Sequence, residues 1–575
     1  MRFLPTPAER RAALWLGAAA VLVLAAGFGL RDPWPADEPR FVLVAKQMIE
    51  SGDWWFPRRG SELYPDKPPV YFWLLALAYL AMGSWRWSFL LPSLLAALGT
   101  LWLTFDLGRR LWGPRAGLWA AAAVLAAPAF VYQAKRAQID PTLVFLTTLG
   151  LYGILRHLLL GPAWRWFAGG CFAAGVGVVT KGVGFLPLLV LLPFVVLRWR
   201  GWPGLVARAT GDGWRWAAGL GAFLLAMLLW FVPVVLQALY DGDAQHRAYL
   251  DEILFRQTAT RYLDPWHHHE PVWYFLEVIA LFWAPFALLL PWLLRPWREA
   301  FAARDPRVVL PLAWALLVLA FFSASAGKRD MYIRPALPAL ALAAAPYLDA
   351  LAQRTGVRRA VLGYTILLAG VLFAGGIAAL VAEPRFAQRI VEQRGLGAEQ
   401  VWLWGMLAAV GGIGLAAAAW WRVAGALRGG AVLLVALWLG WGFVVHPLLD
   451  RENSARGVME DARALAGPDT PIGLLGWKEQ NLLQALGPVR EFGFCKADDD
   501  LDCHARQRAR ALAWLAEDAS GRVLFVRRMD AHACFDFAPP HGSPVGTANR
   551  REWWLLRAGA VTPACSAPPE AAGGP

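Results

Sequence analysis

Long apolar runs separated by short polar connections fill the first 445 residues. A helix that crosses a bilayer needs about 20 mostly apolar residues. Thirteen runs approach that length: 12–30, 87–107, 116–131, 141–160, 166–180, 183–197, 216–239, 272–294, 308–326, 333–351, 360–381, 401–421 and 431–445. Two polar stretches are longer than the rest, 31–86 and 240–271. Within the first, residues 38–51 repeat apolar positions at helical spacing, with Phe41, Val44, Ala45 and Met48 on one face. That pattern predicts an amphipathic helix lying on the membrane surface. Residues 71–82 are too few for a comfortable span and predict an interfacial or re-entrant helix, entered through the stiff Lys67-Pro68-Pro69 elbow. From His446 on the pattern changes. Strand-like runs at 471–477, 490–494, 523–527 and 553–557 alternate with helix-like runs near 455–466, 478–486 and 505–517. The expectation is a polytopic α-helical membrane domain over 1–445 and a small α/β domain over 446–575, with a loose end after Ala558.

Composition fixes the solvent. Hydrophobic residues make up 58% of the chain, charged residues 17%, and the mean hydropathy is +0.42. Soluble domains carry roughly 25% charged residues. Disorder, collagen, coiled coil and a soluble nucleic-acid binder are excluded as readings of the whole chain. The first run follows Arg2, Arg10 and Arg11, but it is long for a signal peptide and twelve more follow, so it reads as a retained helix.

Basic residues set the orientation. With the N-terminus in the cytoplasm, every cytoplasmic connection is basic, among them Arg109/Arg110/Arg115, Arg156/Arg165, Arg354/Arg358/Arg359 and Arg422/Arg428. The net charge of +13 is then largely a matter of topology and implies no nucleic-acid partner. An odd number of spans places the tail outside, as an exported domain. Cys495, Cys503, Cys534 and Cys565 all lie in that tail, which suggests two disulfides with three pairings open; Cys171 lies in an apolar run.

Some charges break this rule. Lys135/Arg136, Lys181 and Lys328/Arg329/Arg334 fall on outer connections, as do Asp37, Glu38, Arg40, Asp66 and Lys67 in the first loop. The second outer loop holds Arg256, Arg261, Asp264, His267, His268, His269 and Glu270. A single ionisable group at a helix end snorkels to water. Several connections carrying such groups on one face predict a polar cavity at the outer membrane boundary. Cations there suit a phosphate at headgroup depth, and carboxylates beside them suit group transfer. No Walker or dinucleotide-type glycine loop is present, so a lipid-linked phosphate fits better than a soluble nucleotide.

These residues resemble a known family. Asp37-Glu38-Pro39-Arg40, Asp66-Lys67-Pro68-Pro69, Gln138-Ile139-Asp140-Pro141, Thr180-Lys181-Gly182, the 267–271 stretch leading into Val272-Trp273-Tyr274, and the 328–335 segment stand in the order of the bacterial polyprenyl-phosphate-sugar glycosyltransferases. These are relatives of the protein O-mannosyltransferases with the GT-C membrane fold, and the branch nearest in layout is the lipid A aminoarabinose transferase. The resemblance implies Asp37 and Asp140 as catalytic carboxylates. It also implies Lys67, Arg40, Lys181 and Arg329 as donor-phosphate cations, with Glu38, Lys328, Tyr332 and Arg334 as substrate contacts. It implies transfer from an undecaprenyl phosphate sugar to lipid A, with no cofactor required. Another sugar with a protein or other glycan acceptor stays open, and a lipid-linked sugar transporter is the rival class. Alternation in an extended loop lets His267 and His269 face one ligand, which with Asp66 suggests a structural Zn²⁺ site.

Overall fold

The computed structural model describes residues 6–207, 209–253, 270–325, 327–496, 500–528 and 534–566. The chain divides into two compact units. One comprises Met1–Phe28, Pro65–Ile377 and Gly405–Gly442; the other comprises Gly29–Tyr64, Ala378–Trp404 and Phe443–Pro575.

The first unit is helical. Among the described residues, eight helices of the chain have the length and apolarity to cross a bilayer, and ten do if each of two bent pairs counts as one span. Both bends lie at prolines in the expected runs. Pro114–Ala126 and Pro128–Ala134 meet at 71°, and Tyr274–Phe282 and Phe286–Ala302 meet at 106° around Pro285. A proline cannot donate to the helix ladder, which explains a break at these points. The other three expected spans form shorter or more polar helices. Pro7–Ala25 carries Glu9, Arg10 and Arg11 in its first turns, with Thr6 and Glu9 closing a capping box. Trp164–Lys181 is rich in glycine. Val183–Val190 is a 3₁₀ segment with Pro187 inside it, leading into Leu191–Trp199.

One helix pair brings distant charges together. Ile139–Leu160 and Trp164–Lys181 run back against each other through a three-residue connection, with Gly161 at φ +98°. They touch at Gly153 and Gly170, where a Cβ on Gly153 would come within 2.9 Å of the Gly170 Cα. Small residues at such a crossing let backbones approach closely. The start of the first helix and the end of the second therefore lie side by side. Val70–Met82 is a helix as expected, with Tyr71, Phe72 and Leu75 buried and Leu77 and Leu80 exposed.

The second unit is α/β. Its sheet has the order β4-β3-β5-β7-β6: β3 (Ile472–Leu475) lies parallel to β4 (Val489–Glu491) and β5 (Val523–Arg527), while β7 (Arg551–Leu556) runs antiparallel to β5 and to β6 (Gly542–Ala548). The sequence pattern does not announce β6, an edge strand interrupted at Pro544/Gly546 and mostly solvent-facing. Phe525 stacks on Trp553 across β5 and β7 with ring centroids 4.6 Å apart. Disulfides join Cys495 to Cys503 and Cys534 to Cys565, which selects one of the three pairings. A short hairpin, β1 (Arg58–Arg59) and β2 (Glu62–Leu63), belongs to the same unit.

The Glu38–Ser51 helix has the expected bounds but a different neighbour. Phe41, Val44, Ala45 and Met48 are all buried, and Leu43 joins the core made by Val458, Met459, Ile472, Trp477 and Phe525. Its apolar side is covered by protein rather than lipid. The tail core supplies an apolar surface that the local sequence could not reveal.

Candidate active site

Asp37 is the residue before the Glu38–Ser51 helix, and its carboxylate is partly exposed. The segment leading to it is braced on both sides. Arg31 donates to the two oxygens of Glu38 at 2.5 and 2.8 Å, and the Trp34 N–H donates to Glu38 at 2.7 Å. Asp450 accepts from the Asp32 N–H at 2.7 Å and from the Trp34 indole at 3.0 Å, and Arg456 pairs with Asp32. Glu38 is 1% exposed. Its geometry is that of an internal brace, which departs from the expected substrate contact: a buried carboxylate gripped by a guanidinium fork has little capacity left for a ligand.

Arg40 stands one turn along the same helix. Its Nη1 lies 3.6 Å from Asp37, while its Nε donates to Glu479 at 2.7 Å. Glu479 also takes an ion pair from buried Arg59 at 3.4 Å, and the Arg59 guanidinium stacks 3.7 Å from the Phe494 ring centroid. Burial works against the charge of Arg40, but Glu479, with Tyr64 and Asp37, outweighs it and holds the guanidinium above the ordinary arginine value. Glu479, Arg31 and Asp450 do not stand out in the sequence. Glu479 is 439 residues from Arg40, and no local pattern announces such a partner.

The first unit carries a second group of charges. Asp140 is in the first turn of Ile139–Leu160 and Lys181 in the last turn of Trp164–Lys181. Each sits at the helix end whose partial charge suits it. Lys181 donates to Asp140 at 2.6 Å, and Asp140 is 6% exposed. Lys67 and Arg334 lie within electrostatic reach of the same carboxylate. The Lys181 ammonium is also 5.3 Å from the centroid of the Tyr332 ring. Arg334 is buried, pairs with Asp330, and keeps Nε and Nη1 without a hydrogen-bond partner among the described residues. Four of the expected residues, Lys67, Asp140, Lys181 and Arg334, are thus brought together, with Tyr332 against Lys181.

Others stand apart. Lys328 is buried and donates to the Glu270 carbonyl at 2.7 Å, so it tethers backbone. Lys135 likewise donates to the Ala26 carbonyl at 2.7 Å. Arg329 is half-buried at the start of the Asp330–Ile333 turn. Asp66, next to Lys67 in the chain, is half-buried just before the Val70–Met82 helix. Of the expected metal ligands, His267 and His269 lie outside the described residues. Among the described residues no group of three or more His, Cys, Asp or Glu is placed to hold a metal ion.

Comparison with known proteins gives this arrangement a context. Residues 66–236 match the family described as dolichyl-phosphate-mannose-protein mannosyltransferase. The undecaprenyl phosphate-alpha-4-amino-4-deoxy-L-arabinose arabinosyl transferase of Pseudomonas aeruginosa is 30% identical over 415 residues, covering 71% of this chain and 70% of that protein. A transferase of the same description (number 2) from Sodalis glossinidius is 29% identical over 440 residues, 70% of this chain and 72% of the relative. The crystal structure of ArnT from Cupriavidus metallidurans bound to undecaprenyl phosphate superposes with a TM-score of 0.72 at 23% identity, over 97% of this chain and all of the other. This last likeness speaks to the fold, a multi-pass membrane architecture of the GT-C type. The identity and coverage of the Pseudomonas relative place the chain in the family of the undecaprenyl phosphate-aminoarabinose arabinosyl transferases.

Proposed function

We propose that this protein transfers 4-amino-4-deoxy-L-arabinose from undecaprenyl phosphate to a phosphate of lipid A at the outer face of the bacterial inner membrane. The observation that carries the reading is the Lys181–Asp140 ion pair, with Lys67 and Arg334 within electrostatic reach of the same carboxylate, in a chain of this family. Three cations against the carboxylates of Asp140 and Asp330 leave one positive charge in surplus, which suits a phosphate monoester leaving group. Thirteen spans, a cytoplasmic N-terminus and a periplasmic C-terminal α/β domain belong to the same proposal. The orientation is supported by the basic connections that it puts in the cytoplasm.

The chemistry is a single displacement. The bond between the sugar's anomeric carbon and the donor phosphate oxygen breaks. A bond from that carbon to an acceptor oxygen forms on the opposite face, with inversion. The electron pair leaves on undecaprenyl phosphate, where Lys67 neutralises it as it develops, with buried Arg334 as a second cation. Lys181 is held by Asp140, and that buried acid acts as a positioning residue in this reading. A phosphate acceptor has a second pKa near ~6 and is largely ionised at neutral pH, so it needs no general base. Asp37 then orients the acceptor and stabilises positive charge gathering on the sugar ring. Arg40, fixed by Glu479, holds Asp37 in place through their ion pair. A hydroxyl acceptor would instead require Asp37 as a base, worth typically ~10²–10⁴-fold.

Purified protein supplied with labelled undecaprenyl phosphate-aminoarabinose and lipid A tests the proposal. Label appearing on lipid A phosphate supports it. Saturable movement of the intact donor across vesicles without transfer would favour a transporter.

A further inference from the structure

The transfer chemistry leaves one buried acid unused. Asp106 lies near the end of the Leu91–Trp112 helix, is 1% exposed, and is surrounded by cations. Its Oδ1 accepts from Arg109 Nε at 2.7 Å and Nη2 at 2.5 Å. Its Oδ2 accepts from Arg110 and, at 2.6 Å, from the Tyr152 hydroxyl. Tyr152 in turn accepts from Arg156 at 3.1 Å, and the Arg156 guanidinium lies 4.4 Å from the centroid of the Trp166 ring. Three guanidiniums from two neighbouring helices are thereby organised around a single carboxylate.

Membrane topology does not account for this arrangement. Loose arginines in the connection would satisfy the charge bias equally well. A buried carboxylate is costly unless fully paired, and here its pairing fixes the arginines in place. The group keeps a surplus of two positive charges. Arg109 and Arg110 remain 38% and 35% exposed at the side chain. Each guanidinium offers five N–H donors, and most of these are unused among the described residues. Trp166, 37% exposed, supplies an aromatic ring of the kind found at headgroup level.

We infer that this cluster binds the phosphodiester headgroup of an anionic phospholipid. Basic pockets between spans serve that purpose through charge and hydrogen bonds together. The acid acts as the organiser: it spaces the arginines without cancelling them. Assignment to the cytoplasmic leaflet rests on the proposed orientation; the binding itself does not.

Native mass spectrometry of the full-length protein in detergent tests it, with phosphatidylglycerol, phosphatidylethanolamine and inorganic phosphate as probes. Phosphatidylglycerol should be retained in preference to phosphatidylethanolamine. Retention should fall by about fivefold for each arginine removed in Arg110→Gln and Arg156→Gln. Arg385→Gln, an exposed arginine elsewhere, should leave it unchanged. Equal retention of the two lipids by the unaltered protein, or an equal loss in Arg385→Gln, overturns the site. Displacement of the lipid by millimolar inorganic phosphate overturns the lipid assignment in favour of a free-anion site. A photoreactive phosphatidylglycerol tests the unaltered chain, in case the variants fail to fold. It should label residues near 106–112 and 152–166, and labelling confined to other segments overturns the proposal. Sugar transfer persisting in Arg110→Gln would separate loss of lipid from loss of the active site.

Discussion

Lys181, in the last turn of one helix, donates a 2.6 Å hydrogen bond to Asp140 in the first turn of its hairpin partner. The pair is possible because Gly153 and Gly170 let those helices pack closely enough to align a helix start with a helix end. Breaking a largely buried ion pair by removing one partner costs about 3–5 kcal/mol. Lys181→Met should fall at the low end, because Lys67 and Arg334 remain near Asp140. The double variant Asp140→Asn/Lys181→Met should regain much of that stability without regaining transfer. Unfolding curves and turnover measured on the same preparations separate the two effects. Additive losses of stability in the double variant would show that the residues do not act as a pair.

Glu479 fixes Arg40 and Arg59 together. Glu479→Gln should lower the stability of the α/β unit by several kcal/mol, about what breaking a buried pair costs, and should also slow transfer through Arg40. The check is thermal unfolding alongside transfer, with Arg40→Lys as the comparison. The folded-state pKa of Arg40 is raised, so its stabilising contribution is complete below the unfolded value and lost only as pH rises through the folded one. Both lie far above neutrality. Between pH 6 and 9 neither stability nor transfer should show a titration from Arg40.

Cys495–Cys503 and Cys534–Cys565 provide a test of orientation. In intact cells, a membrane-impermeant thiol reagent should label these cysteines only after reduction. It should leave buried Cys171 unlabelled. Labelling that requires inner-membrane permeabilisation would reverse the proposed topology. Reduction should also destabilise the tail, since loss of a native disulfide typically costs about 2–5 kcal/mol.

The structural Zn²⁺ site expected from the sequence is proposed on Asp66, His267 and His269. Chelation should lower thermal stability more than it lowers donor binding, as expected of a structural ion. Elemental analysis finding no zinc in an active preparation would remove the proposal.

Local pattern is legible where local physics decides. Apolar spacing predicts the Glu38–Ser51 helix to its residue bounds, because that spacing and the turn at Gly52 act within the segment. β5 is legible in the same way. What covers a face is not. The Glu38–Ser51 helix reads as lipid-facing because the tail that buries Leu43 lies hundreds of residues away. Glu38 and Lys328 lie in motifs that the resemblance marks as substrate contacts, and in the structure one braces Arg31 and the other holds a carbonyl. Composition distinguishes a charge that needs a partner from one that has none only when the partner is near in sequence. Asp140 and Lys181 stand out in separate motifs, but their pairing requires the helix hairpin.

The central claim is transfer of the sugar to a phosphate acceptor, with Lys67 neutralising the departing undecaprenyl phosphate and Asp37 acting at the sugar. The direct measurement is turnover of labelled undecaprenyl phosphate-aminoarabinose with lipid A by three purified proteins: the unaltered chain, Asp37→Asn and Lys67→Ala. The account requires label on lipid A phosphate from the unaltered chain. It also requires normal folding and insertion of both variants, with transfer reduced by about 10²-fold or more in each. Near-normal turnover by either variant, or transfer by the unaltered chain only to an acceptor without phosphate, would contradict it.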